Sequence, residues 1–280
     1  MEKSLNQRML ELFKPGRGTM MPGAHNALSA RIMEAAGFET VLFTGAGFAN
    51  TYLGVPDMGL TSLKEVVDQV AAISDAIDIP ILADGDTGFG NALNARRTVR
   101  MMERAGASAL LIEDQVYPKR CGHFEDKSVI SKSEMVQKLK AAVDARQTGM
   151  LILARTDARA MEGLDAAIDR ARAYSEAGAD LLFVEAPQSL EELARIPREL
   201  AEDPRARLDV VVDEAEEVGV EDLEAEAGGR RVERLADLEE LGLAEGFQES
   251  HVLAAGMIDR VLVAAPEPDD RRDRPHRRGR

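Results

Sequence analysis

Short apolar runs rich in strand-favouring residues alternate, along the first 200 residues, with longer segments of helical period, the pattern of successive parallel βα units. Thr40–Thr44, Pro80–Asp84, Ala109–Glu113, Met150–Ala154 and Leu181–Glu185 predict strands, and Thr19–Pro22 predicts a weaker first one. Between them, Leu63, Val66, Val67, Val70, Ala71 and Ile73, and then Met135, Leu139, Ala142 and Val143, recur at spacings of three and four. Each such helix has one face to bury against a sheet. Ala36-Gly37, Ala105-Gly106 and Ala177-Gly178 stand just before strands, where glycine can supply the left-handed C-cap of a helix. About six units fit between residues 19 and 200, and the remaining length has room for two more, so the expected fold is α/β, a (β/α)8 TIM-type barrel. An open doubly wound sheet would gather its polar residues at one switch point; here nearly every strand ends in or runs into one, which favours the barrel. The expected organisation is one barrel domain over 1–263, atypical from 208 onward, followed by a tail over 264–280.

Charge changes this picture in one region. The chain holds 35 Lys and Arg against 50 Asp and Glu, a net charge of -15, which repels phosphate backbones and anionic lipid and argues against nucleic acid or a membrane as partner. Residues 213–249 alone carry 14 acidic and 3 basic residues. Within this acidic stretch 220–227 and 231–243 read as amphipathic helices, expected to be solvated faces. Pro266–Arg280 offers almost no apolar surface to bury and is expected to be disordered. A single cysteine cannot form an internal disulfide, no secretory leader pattern opens the chain, and no apolar run reaches a membrane span. The expectation is a soluble cytoplasmic protein.

The strand ends carry the chemistry. One strand runs into Asp84-Gly85-Asp86-Thr87-Gly88-Phe89-Gly90-Asn91, and the next into Glu113-Asp114-Gln115. Side chains two apart on a strand share a face, so Asp84 and Asp86 can address one site if the strand geometry persists, with Glu113 within reach and Asp57 a further candidate. Hard oxygen donors without suitably spaced His or Cys suit Mg²⁺, or Mn²⁺, better than zinc. In isolation such an Asp-Gly pair is as often a solvated turn. The glycine-rich run is no phosphate loop, since it lacks Gly-Lys-Ser/Thr and is acidic. Lys119-Arg120-Cys121-Gly122-His123 is the densest cluster of reactive types. Its cations would lower the Cys121 thiol pKa and poise it for proton transfer, although a lone cysteine is more often a small buried hydrophobe.

Lys119-Arg120-Cys121-Gly122-His123 resembles the signature of the isocitrate lyase and phosphoenolpyruvate mutase superfamily. Pro22-Gly23-Ala24, Phe43-Thr44-Gly45-Ala46, Gly54-Val55-Pro56-Asp57, residues 83–91, Ile112-Glu113-Asp114-Gln115 and Ala154-Arg155-Thr156-Asp157-Ala158 are similar to its other motifs, in order, over about residues 10–200. The resemblance is nearest to the 2-methylisocitrate and 2,3-dimethylmalate lyases, which carry cysteine at position 121 where phosphonate-forming mutases tend to carry asparagine.

The resemblance implies a barrel, usually a homo-oligomer, that binds Mg²⁺ and a small carboxylate substrate at the carboxyl ends of its strands. It implies that Asp84 lies closest to the metal, with Asp57, Asp86 and Glu113 holding it directly or through water. It assigns Thr44, Gly45, Arg155, Arg120, Gly122 and Glu185 to substrate binding, and Cys121, Lys119 and His123 to catalysis. The implied reaction is cleavage of a 2-hydroxy di- or tricarboxylate to an α-oxo acid and a dicarboxylate, with Cys121 as proton donor. Two alternatives stand beside it: an oxaloacetate-cleaving or phosphonate-acting member of the superfamily, and an inactive barrel serving as a binding protein. The second draws on residues 208–217, which hold five acids and match no family motif. That segment is either a diverged seventh strand or replaced coding sequence.

Overall fold

The computed structural model describes residues 3–14, 18–119, 128–200, 209–212 and 260–264. Strands β1 (Thr19–Met21), β2 (Gly23–Ala24), β3 (Val41–Phe43), β4 (Ile81–Asp84), β5 (Ala109–Glu113), β6 (Leu151–Thr156), β7 (Leu181–Val184), β8 (Asp209–Val212) and β9 (Arg260–Ala264) form one sheet in the order β1-β9-β8-β7-β6-β5-β4-β3-β2. Its two ends, β1 and β2, are consecutive in the chain. Pro22 between them has no N–H to give the ladder, yet its carbonyl accepts from Leu42 N–H at 2.9 Å. The chain itself therefore joins the edges and closes a barrel.

From β2 to β8 every pairing is parallel. The eighth stave departs from eight repeated βα units, because β9 runs antiparallel to both β8 and β1. An antiparallel partner satisfies the same ladder without a crossover helix. The expected acidic helices at 220–227 and 231–243 lie outside the described residues, as does the expected tail beyond Ala264.

Helices α2 (Ala27–Ala35), α4 (Leu63–Ser74), α5 (Ala92–Ala105), α6 (Lys132–Ala145), α8 (Leu164–Glu176) and α9 (Leu190–Leu200) follow the strands, with short helices α3 (Gly45–Phe48) and α7 (Ala158–Glu162) at strand ends. Their apolar faces pack with Val41, Phe43, Ile81, Ala83, Leu110, Ile112, Ile152, Ala154, Leu182 and Val184 in one core layer. The alternate strand residues Leu42, Leu82, Ala109, Leu111, Leu151, Leu153, Leu181 and Phe183 form a second, inner cluster. Helix α1 (Leu5–Leu12), which the strand-helix pattern does not anticipate, starts at a Ser4–Gln7 capping box and adds Met9 and Leu12, with Phe13, to that inner cluster.

The three Ala-Gly pairs are left-handed as expected, with φ of 90° at Gly37, 93° at Gly106 and 102° at Gly178. At Gly106 a Cβ would also lie 2.0 Å from Ser74 Oγ.

Candidate active site

The inner alternation positions the site. Leu42, Leu82, Leu111, Leu153 and Phe183 face the barrel axis, and two residues beyond each stand Thr44, Asp84, Glu113, Arg155 and Glu185. With a side-chain period of two, the apolar interior is topped by one polar layer at the carboxyl ends of five neighbouring strands, where barrel active sites lie.

On one side of this layer the carboxylates converge. Lys119 Nζ, at a residue only 4% exposed, lies 2.5 Å from Asp57 Oδ2 and 2.8 Å from Asp86 Oδ1. Burial alone would lower the Lys119 pKa, but Asp86, Glu113, Asp84 and Asp57 carry it well above the usual lysine value. Asp86 does not sit on an extension of β4: the strand ends at Asp84, and Asp86 has a left-handed φ of 47°. It reaches the same site because Asp84 Oδ1 accepts its N–H at 3.0 Å, bending the chain back over the strand end. Burial raises the Asp86 pKa to about 6, against the opposing pull of Lys119. The Glu113 carboxyl is likewise held well above the usual carboxylate range, mainly by burial.

Gly45, at the start of α3, closes this cluster. Its N–H donates to Asp84 Oδ2 at 3.2 Å, and a Cβ there would stand 2.8 Å from that oxygen. Thr44 caps α3 by accepting from Gly47 N–H at 3.2 Å.

The other side is built on Arg155. Its Nε and Nη2 donate to the two carboxylate oxygens of Asp157, each at 3.0 Å. Glu185 Oε2 lies 3.2 Å from Nη2 and Glu113 Oε2 lies 3.6 Å from Nε, while the guanidinium carbon stands 5.5 Å from the centre of the Phe183 ring. Burial would lower the Arg155 pKa, but these three carboxylates hold it well above its ordinary value.

The donors fit a hard divalent cation. All are carboxylate oxygens, and Glu113 Oε1 is buried with no hydrogen-bond partner among the described residues. Among the described residues no three His, Cys, Asp or Glu side chains converge closely enough to ligate one ion directly. An ion of the Mg²⁺ type keeps several waters and needs only one or two direct carboxylates.

The structure thus brings together Asp57, Asp84, Asp86, Glu113 and Lys119 on one side, and Arg155 and Glu185 beside them, with Thr44 and Gly45 on the same rim. Arg120, Cys121, Gly122 and His123 lie outside the described residues. Sequence reasoning missed the support of Arg155: Asp157 itself, Asp114 behind it, and Tyr174 and Arg170 on α8. The available signal was the adjacency of Glu113 and Asp114, since neighbouring residues on a strand face opposite ways. It also missed Lys138, buried on α6, whose Nζ donates to Thr87 O at 2.8 Å.

A closed barrel whose polar layer pairs a carboxylate cluster with a buried arginine defines a class of barrel enzyme-like sites for anionic ligands, and comparison with known proteins places it further. The phosphoenolpyruvate phosphomutase family model matches residues 9–236, running well past residue 200, and the chain belongs to that family, within the isocitrate lyase and phosphoenolpyruvate mutase superfamily. It is 47% identical over 190 residues to the 2,3-dimethylmalate lyase of Eubacterium barkeri, covering 68% of this chain and 66% of that one. It is 46% identical over 188 residues to a 2-methylisocitrate lyase of Aeropyrum pernix, covering 67% and 60%. The crystal structure of a 2,3-dimethylmalate lyase superposes with a TM-score of 0.69 at 33% identity, over 74% of this chain and 70% of that chain. The chain thus spans about three fifths to two thirds of the length of these curated relatives. Among the described residues no helix is long and apolar enough to cross a membrane.

Proposed function

We propose that the chain is a Mg²⁺-dependent carbon-carbon lyase for a 2-hydroxy di- or tricarboxylate of the 2-methylisocitrate or dimethylmalate type, releasing an α-oxo acid. The observation that carries this reading is the split polar layer, with Asp57, Asp84, Asp86 and Glu113 on one side and Arg155 on the other. Such a layer has a place for a hard cation and, beside it, a place for a substrate carboxylate. The 46–47% identity to two lyases of this type supports it.

Asp84 and its neighbours would hold the ion, and Arg155 would bind the carboxylate, oriented by Asp157. Bound Mg²⁺ supplies Lewis-acid polarisation of the hydroxy-carboxylate end of the substrate. Loss of the hydroxyl proton to a base breaks the carbon-carbon bond, and the electron pair remains on the departing carboxylate fragment. Cys121 then protonates that fragment as general acid. The burial of Asp86, Glu113, Arg155 and Glu185 keeps bulk water from quenching the carbanion first. The homo-oligomer implied by the sequence resemblance belongs to the same proposal.

A coupled assay for α-oxo acid release tests it, using a panel of 2-hydroxy acids and a phosphonate, with oxaloacetate followed separately by its consumption. Release from a branched 2-hydroxy acid that stops on adding EDTA is expected. Reaction only with oxaloacetate or the phosphonate would overturn the substrate class, and no reaction with any would overturn the activity.

A further inference from the structure

The residue that binds a substrate carboxylate must present its guanidinium in one orientation, and Arg155 is surrounded by three acids that compete for it. Asp157 takes two of its N–H groups in a fork at 3.0 Å. A bidentate pair fixes the guanidinium plane as well as its place. Asp157 is itself fully buried and also accepts from Gln115 Nε2 at 3.2 Å.

What holds Asp157 is a second buried carboxylate. Asp114 Oδ1 accepts the backbone N–H of Asp157 at 3.0 Å, and its Oδ2 accepts the Thr156 hydroxyl at 2.7 Å. Asp114 points away from the barrel axis, opposite to its neighbour Glu113, into the helix layer. There Oδ2 also accepts the Tyr174 hydroxyl at 2.6 Å, with Arg170 Nη1 at 3.4 Å. Arg170 is fixed in turn by a fork to Glu162, both contacts at 2.9 Å, and by Ile130 O at 2.9 Å. Four donors, two from the end of β6 and two from α8, thus meet on one carboxylate that no substrate can touch. Burying a charge this deeply is costly unless it is well hydrogen-bonded, and here Thr156 and Asp157 supply two of the donors while α8 supplies the other two.

We propose that Asp157 is the positioning residue for Arg155, and that Asp114 and Tyr174 set its place from the outer helix layer. The inference rests on the reading of Arg155 as the carboxylate-binding residue. Oxalate, a small dicarboxylate, is the probe, titrated calorimetrically into the full chain in saturating Mg²⁺. Three variants are compared: Arg155→Gln, Asp157→Asn and Tyr174→Phe, with a thermal melt of each.

Loss of one charge-assisted acceptor in Asp157→Asn should weaken oxalate about tenfold, and loss of the remote hydroxyl in Tyr174→Phe about threefold. Asp157→Glu, which restores the charge, should recover part of the affinity. A merely structural role would lower the melting temperature and leave the affinity of the folded protein unchanged. Wild-type oxalate affinity in Asp157→Asn or in Tyr174→Phe, beside lost binding in Arg155→Gln, would overturn the positioning role. Wild-type affinity in Arg155→Gln would instead overturn the reading of Arg155 on which it rests. Tyr174→Phe removes one oxygen only and carries the test if Asp157→Asn does not fold.

Discussion

Lys119 Nζ lies 2.5 Å from Asp57 Oδ2, a contact between residues 62 apart in the chain. It gives the carboxylate cluster a cation of its own, since the same nitrogen is 2.8 Å from Asp86. Two consequences follow for the protein without metal and with it.

Removing that ammonium leaves buried carboxylates uncompensated, which costs roughly 3–5 kcal/mol when one partner of a buried pair is lost. Lys119→Met should therefore melt well below the parent in EDTA, and Mg²⁺ should recover more stability in the variant than in the parent. Differential scanning calorimetry in the two buffers checks this; equal Mg²⁺ gains would separate Lys119 from the cation site.

Asp86 gives a pH signature. Its pKa is raised by burial to about 6, so the folded protein binds this proton more tightly than the unfolded chain does. Its contribution to stability is then present below the unfolded value near 4 and lost as pH rises through about 6. Ions that need the carboxylate must displace the proton, so Mn²⁺ affinity should fall as pH drops from 7 to 5. Paramagnetic titration of free Mn²⁺ across that range reads the effect, and Asp86→Asn should make it shallower. A parent profile as flat as that of the variant would remove Asp86 from the site.

Lys138 tests the outer support of the same cluster. Its ammonium is buried, with its pKa lowered by burial, and holds the carbonyl of Thr87, next to the left-handed Asp86. Lys138→Met keeps the apolar stem and removes the hydrogen bond. Loss of one such bond to a charged group should weaken Mn²⁺ binding by about tenfold, with oxalate binding in saturating metal less affected. Unchanged Mn²⁺ affinity would make Lys138 a packing residue alone.

Much of this architecture was readable in the residues. The short apolar runs located β3 to β7 to within a residue or two, because a strand buried on both faces is a short, continuous apolar block. Their ends placed Asp84 and Glu113 on neighbouring strands, whereas Arg155 came to the site only through the family resemblance, because it stands just beyond the expected strand Met150–Ala154. Asp86 was expected on an extended strand and arrives there by a turn, because a left-handed residue leaves no mark in hydrophobic pattern. Helix α1 was missed because its apolar positions are few and the inner cluster it joins is drawn from strands distant in sequence, as at Leu151 and Phe183. The antiparallel β9 was illegible for a related reason: a strand's direction depends on its connection, not on its composition. The Asp114 network joins residues up to 60 positions apart, which no local spacing encodes.

The most direct measurement follows the bond itself. With 2-methylisocitrate or 2,3-dimethylmalate, Mg²⁺ and heavy water, proton NMR resolves both the oxo acid and the label on the departing fragment. The account predicts stoichiometric oxo acid, one deuterium at the carbon that bore the broken bond, dependence on Mg²⁺, and a rate reduced by roughly two to four orders of magnitude in Cys121→Ser. Intact substrate after prolonged incubation with metal-loaded, folded protein would contradict it.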